Sequence, residues 1–76
     1  MGRLKKLSGH EVVKILCNRF GFRVSGRKGS HVRLSKDVGN AKIGCVVPVH
    51  PELKIGTLKS ILRQAGISED EFGRYV

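Results

Sequence analysis

A chain of 76 residues has room for one domain, 1–76, and for a core so thin that deep ligand cavities are excluded. Its net charge of +9, with a pI near 10.3, makes a polyanion the natural partner and leaves an acidic protein as the alternative. The charge is uneven: residues 1–68 hold 14 of the 15 Lys and Arg, while Glu69, Asp70 and Glu71 form an acidic tip beside Arg74.

The chain opens on Arg3, Lys5 and Lys6 without an apolar run long enough for a signal peptide or a membrane span, so no membrane partner is expected. Ser8 and Glu11 then have the spacing of a capping box and start a helix. Val12, Val13, Leu16 and Phe20 recur along it at helical spacing, with Ile15 at the margin, and Gly21 ends it. From Phe22 the period becomes two. Phe22 and Val24 alternate with Arg23, and Ser25 to Ser30, containing Gly26 and Gly29, reads as the turn of a hairpin.

On the return strand Val32 and Leu34 face the core, which sends His31, Arg33 and Ser35 to the other side of the sheet. Asp37 to Asn40 makes the next turn, and Ile43, Cys45, Val47 and Val49 form the core row of a third strand. Pro48 marks the far end of that strand as an edge. Pro51 to Gly56 is a connection. Leu58, Ile61, Leu62 and Ala65 line a second helix that Gly66 stops, with Ile67 packing back on its last turn. A second capping box, Ser68 with Glu71, predicts a short helical tail that carries Phe72 inward.

The expected fold is therefore α+β, in the order α-β-β-β-α, with a three-stranded antiparallel sheet, two helices on one face and a short C-terminal helical turn. That is the topology of a double-stranded-RNA-binding domain. The uncovered face points Arg23, His31 and Arg33 outward. Cys17 and Cys45 lie in apolar stretches with no partner at metal-ligand spacing, so no metal site, cofactor or disulfide framework is expected. They read as small core residues in a reducing, cytoplasmic setting, with a bridge between them as the other reading.

Gly29-Ser30-His31 follows Arg27 and Lys28, which places an imidazole at a strand start beside two cations. Histidine suits proton transfer because its ordinary pKa, about 6.5, lies near working pH. Cations beside it could steady a phosphate and the charge that builds on it during attack. Ser30 joins them as a candidate contact. Lys54, Lys59 and Arg63 lie ahead of and along the second helix, where they either grip phosphates or form a solvated helix face. His10 and His50 read as structural or solvated, and the residues alone leave His31 as either a surface histidine or the proton-transfer group.

A resemblance decides between those readings. Gly29-Ser30-His31, then Val47-Pro48-Val49-His50, then Gly56-Thr57-Leu58-Lys59-Ser60-Ile61-Leu62-Arg63-Gln64-Ala65-Gly66-Ile67-Ser68, with Glu71-Phe72 after them, together resemble the HicA or YcfA-like toxin family. The likeness runs from about Ser8 to Phe72. It implies a double-stranded-RNA-binding-like fold and a ribosome-independent mRNA interferase of a type II toxin–antitoxin system. The histidine of its Gly-Ser-His motif is catalytic, and that role falls on His31 alone. RNA is the implied substrate, cleaved without a metal, and a HicB-type antitoxin covering the active face is the implied protein partner. Contacts to RNA from Arg23, Arg27, Lys28, Ser30, Arg33, Lys54, Lys59 and Arg63 are inferred from charge and position rather than from the family. The other readings are a non-catalytic RNA-binding module that uses the same face, and a protein-interaction module that meets an acidic partner.

Overall fold

In the computed structural model, which describes residues 4–76, the elements follow the expected order: α1 (Gly9–Arg19), β1 (Arg23–Lys28), β2 (His31–Val38), β3 (Ala41–Pro48), α2 (Ile55–Ala65) and α3 (Glu69–Gly73). Arg3 lies outside the described residues. The strands form one antiparallel sheet in the order β1-β2-β3. With the helices gathered on one side of it, the molecule has the double-stranded-RNA-binding-like architecture read from the sequence.

Local chemistry sets the helix ends. Ser8 Oγ accepts from the Glu11 N–H at 3.1 Å, and Glu11 Oε1 accepts from the Ser8 N–H at 2.9 Å. These bonds satisfy two of the donors that a helix start leaves without partners. Ser68 and Glu71 repeat the arrangement at α3. At the other end of α1, Gly21 takes a φ of +76°. That left-handed turn lets the Phe22 N–H reach back to the Leu16 carbonyl at 3.1 Å. Gly66, at +72°, closes α2 in the same way, with the Ile67 N–H on the Leu62 carbonyl at 3.0 Å.

The core joins the two layers. Val12 and Leu16 of α1, Val32 and Leu34 of β2, Cys45 and Val47 of β3, and Leu58, Ile61, Leu62 and Ala65 of α2 are all buried in one cluster, which Phe72 completes from α3. Leu7 and Leu53 belong to it as well, although both lie outside regular elements. The Leu53 N–H donates to the Leu7 carbonyl at 2.7 Å, so the segment read as a plain connection is a packed crossing of two chain segments.

Four expectations are corrected. Val24 is 56% exposed rather than in the core, because β1 is an edge strand and the helices leave this part of it uncovered. The turns are shorter than read: Gly29-Ser30 and Gly39-Asn40 alone connect the strands, since a glycine at φ +59° begins each two-residue loop. Ser25 to Lys28 is therefore strand, and so are Asp37 and Val38. Ser35 does share the face of His31 but is only 6% exposed, because its Oγ donates to Ser25 Oγ at 2.7 Å. Finally, β3 ends at Pro48, which leaves Val49 and His50 beyond it, while α2 begins early enough to include Gly56.

Candidate functional site

Strand register arranges the uncovered face in rows. Residues paired across antiparallel strands project to the same side, so Lys28, His31 and Pro48 form one row and Gly26, Arg33 and Val46 the next. Adjacent strands bring such partners to within about 5 Å at their Cα atoms. Gly26, Arg27, Lys28, His31, Arg33 and Val46 line a shallow depression of ≈ 210 Å³. His31 is exposed there, and its imidazole makes no hydrogen bond to any described residue. Among the described residues Lys28 and Arg33 have no acidic partner. The depression is therefore a concentration of uncompensated positive charge around one titratable ring.

A β-bulge decides which cation stands beside His31. The pairing steps from Val24–Leu34 to Gly26–Arg33, which leaves Ser25 as the extra residue. Without the bulge, the register of Val24 on Leu34 would continue and bring Arg27 opposite His31; with it Lys28 takes the place, and Arg27 pairs with Val32. Ser25 repairs the interrupted ladder by donating its Oγ to the Arg33 carbonyl at 3.3 Å while accepting from Ser35.

The backbone around His31 is braced from two sides. The Ser30 carbonyl accepts from the Val49 N–H at 2.6 Å, and the His50 carbonyl accepts from the Gly9 N–H at 2.9 Å. The start of α1 thus holds the end of β3, which in turn holds the turn that precedes His31. Gly9 is where the chain comes closest: a Cβ there would overlap the Pro48 carbonyl oxygen.

The candidates named from the sequence divide accordingly. His31, Lys28, Arg33 and Arg27 come together at the depression, with the Arg27 Nε–H pointing to the Gly29 carbonyl at 3.4 Å. Arg23 belongs to the same face but to its far end, where it pairs with Asp37 at 3.2 Å. Ser30 is exposed in the turn and contributes its carbonyl to the brace. Lys54 stands at the N-cap of α2, Lys59 lies 4.0 Å from Glu69, and Arg63 occupies the last turn of α2, where a cation suits the helix dipole. None of these three lines the depression. His10 and His50 are exposed away from it. Gly26 and Val46 are lining residues that the sequence reading missed. Gly26 fell in the stretch read as turn and Val46 outside the core row of its strand, and only the registers of β1 and β3 on β2 locate them.

Among the described residues no group of three or more His, Cys, Asp and Glu side chains converges, and no helix is long and apolar enough to cross a membrane. The family model described as HicA toxin of bacterial toxin-antitoxin matches residues 9–67. The chain belongs to the HicA toxin family. The matched stretch spans α1, the whole sheet and α2, and so includes the depression and its brace, whereas α3 and its buried Phe72 fall outside it. No curated protein and no solved structure matches the chain. Membership makes it a toxin of a toxin–antitoxin system, and such a toxin implies an antitoxin as its protein partner.

Proposed function

We propose that this HicA-family toxin is a metal-independent endoribonuclease acting on mRNA in the cytoplasm, with His31 as its catalytic base. The observation that carries the reading is the row Lys28–His31–Pro48: an exposed imidazole with a free ring nitrogen, next to an unpaired ammonium, on an open cationic face. RNA brings its own nucleophile. The neutral imidazole of His31 takes the 2′-OH proton, and the 2′-oxygen attacks the adjacent phosphorus. The P–O5′ bond then breaks, leaving a 2′,3′-cyclic phosphate, and the departing 5′-oxygen takes a proton from solvent.

Lys28 and Arg33 hold the phosphate and offset the negative charge that accumulates on its oxygens at the transition state, with Arg27 at the rim. The same cations disfavour a divalent metal, and His31 is the only lining residue with a metal-binding side chain. Arg23, Ser30, Lys54, Lys59 and Arg63 contact only RNA that runs beyond the depression. A HicB-type antitoxin inactivates the toxin by covering the uncovered face of the sheet.

The test is cleavage of a long labelled RNA in EDTA by the wild type and by His31→Ala. The wild type should leave 2′,3′-cyclic phosphate and 5′-OH ends and arrest growth when expressed. The variant should do neither, while still binding RNA with an affinity that falls as salt rises. Undiminished cleavage by folded His31→Ala removes the histidine from the chemistry. Stable complexes with intact RNA from the wild type would make the protein a non-catalytic RNA-binding module.

A further inference from the structure

The two rows of the depression are asymmetric in a way that cleavage alone does not require. Crossing the sheet at the level of His31, the side chains run from cation (Lys28) to imidazole to proline (Pro48). One row along they run from no side chain (Gly26) to guanidinium (Arg33) to valine (Val46). Charge sits on β1 and β2, and an apolar strip sits on β3. Val46 is 39% exposed, and it lines the depression beside Arg33 and His31.

The backbone of the strip offers no free donor. Its in-plane edge is where a free N–H would otherwise wait, yet the Val46 N–H already donates to Gln64 Oε1 of α2 at 3.3 Å, and Pro48 has none. What β3 presents to the depression is the aliphatic side chain of Val46, with Pro48 in the next row. Across from it, Gly26 leaves space next to Arg33, with only the Arg33 Cβ as near as 4.0 Å to a built side chain there. A phosphate can therefore lie low between Lys28 and Arg33.

We propose that Val46 and Pro48 form a ledge for one unstacked nucleobase of the substrate, so that the toxin cleaves single-stranded RNA and spares duplex. The inference rests on the endoribonuclease reading and names the form of RNA that the site accepts. A nucleotide whose phosphate lies over Lys28 and Arg33 has its base within reach of β3 only if that base is turned out of a stack. In an A-form duplex the bases are stacked and paired in the interior, and sugars and phosphates are presented instead. The double-stranded-RNA-binding topology is thus used against its usual ligand: the open sheet face reads one strand, and an apolar contact takes the place of groove shape.

The experiment uses one cleavable sequence in three settings: an unpaired oligonucleotide, a fully paired duplex, and a set of oligonucleotides that each carry one abasic ribonucleotide, with its 2′-OH kept, next to the scissile bond. The wild type should cleave the unpaired form at least about tenfold faster than the duplex. One abasic position should lower kcat/KM by about tenfold. Val46→Thr keeps the branched shape but replaces a methyl with a hydroxyl, and it should lower kcat/KM on the intact oligonucleotide by about fivefold. At the sensitive abasic position it should cause no further loss, because the contact is already gone. Additive losses, or equal cleavage of duplex and single strand, would overturn the ledge while leaving the nuclease intact. A wild-type protein that cleaves none of the substrates would refute the nuclease reading itself.

Discussion

Gly9→Ala should destabilise the fold, although helix propensity alone argues the reverse. Alanine favours a helix interior over glycine by about 1 kcal/mol, and Gly9 is the first residue of α1. A Cβ at that position would overlap the Pro48 carbonyl oxygen and lie 2.7 Å from the Val49 Cα. Both are backbone atoms, so no rotamer change relieves the contact. The start of α1 has to move off the end of β3, which stretches the 2.9 Å bond from the Gly9 N–H to the His50 carbonyl and disturbs the packing under Val12 and Leu16. Overfilling a close-packed site costs about 1–3 kcal/mol, and losing the hydrogen bond adds about 1 kcal/mol. After the propensity gain the net loss is about 2 kcal/mol, or roughly 8–16 °C in Tm for a domain of this size. Urea titration should show a lower midpoint with an unchanged slope. Because Pro48 pairs with His31, cleavage at a temperature where the variant is still folded should fall as well. A variant as stable as the wild type, or more so, would refute the reasoning and mean that propensity outweighs the contact.

Two further outcomes follow from the ionisable groups. The Ser8 and Ser68 backbone N–H groups, together with their hydroxyls, hold the Glu11 and Glu71 carboxyls below the ordinary 4.5. A carboxyl with a depressed folded-state pKa contributes stability above its unfolded pKa and loses it as pH falls through the folded value. Thermal melts should therefore drop in Tm below about pH 4.5, and Glu11→Gln with Glu71→Gln, which removes the titrating carboxyls, should flatten that drop; an unchanged acid limb in the double variant would contradict the capping account. Burial pushes the Cys45 thiol up to about 11, with Cys17 nearby adding to the shift, so at neutral pH Cys45 should resist iodoacetamide until the protein is unfolded in urea. Rapid labelling of Cys45 in the native state, read by mass spectrometry, would show the sheet–helix interface to be open.

Periodicity located the elements because each helix and strand obeys its own repeat. The apolar residues of α1 and α2 fall three and four apart, those of β2 and β3 fall two apart, and the two Ser-x-x-Glu boxes mark α1 and α3 independently of burial. Leu7 and Leu53 were not legible, since each is a lone apolar residue in an irregular segment and only the 2.7 Å backbone bond between them shows that the segments cross. Val24 misled for the opposite reason. Its alternation with Phe22 is genuine and its partner Leu34 is fully buried, but no local pattern records which edge of a sheet the helices leave uncovered.

The site shows the same boundary between local and non-local information. His31 and Arg33 could be placed on one face from β2 alone, because alternation within an unbroken strand is a local property. The rest of the row could not, since a side-chain period of two makes one inserted residue reverse everything beyond it. Ser25 is that residue, and in Arg23-Val24-Ser25-Gly26-Arg27-Lys28 its local mark, Gly26, is shared with a turn; what fixes the bulge is tertiary, Ser35 donating to Ser25 and Ser25 to the Arg33 carbonyl. The bulge therefore sets which side chains share the depression as well as the path of the strand. It turns Arg27 out of the histidine's row, brings Lys28 in, and sets a glycine opposite Arg33.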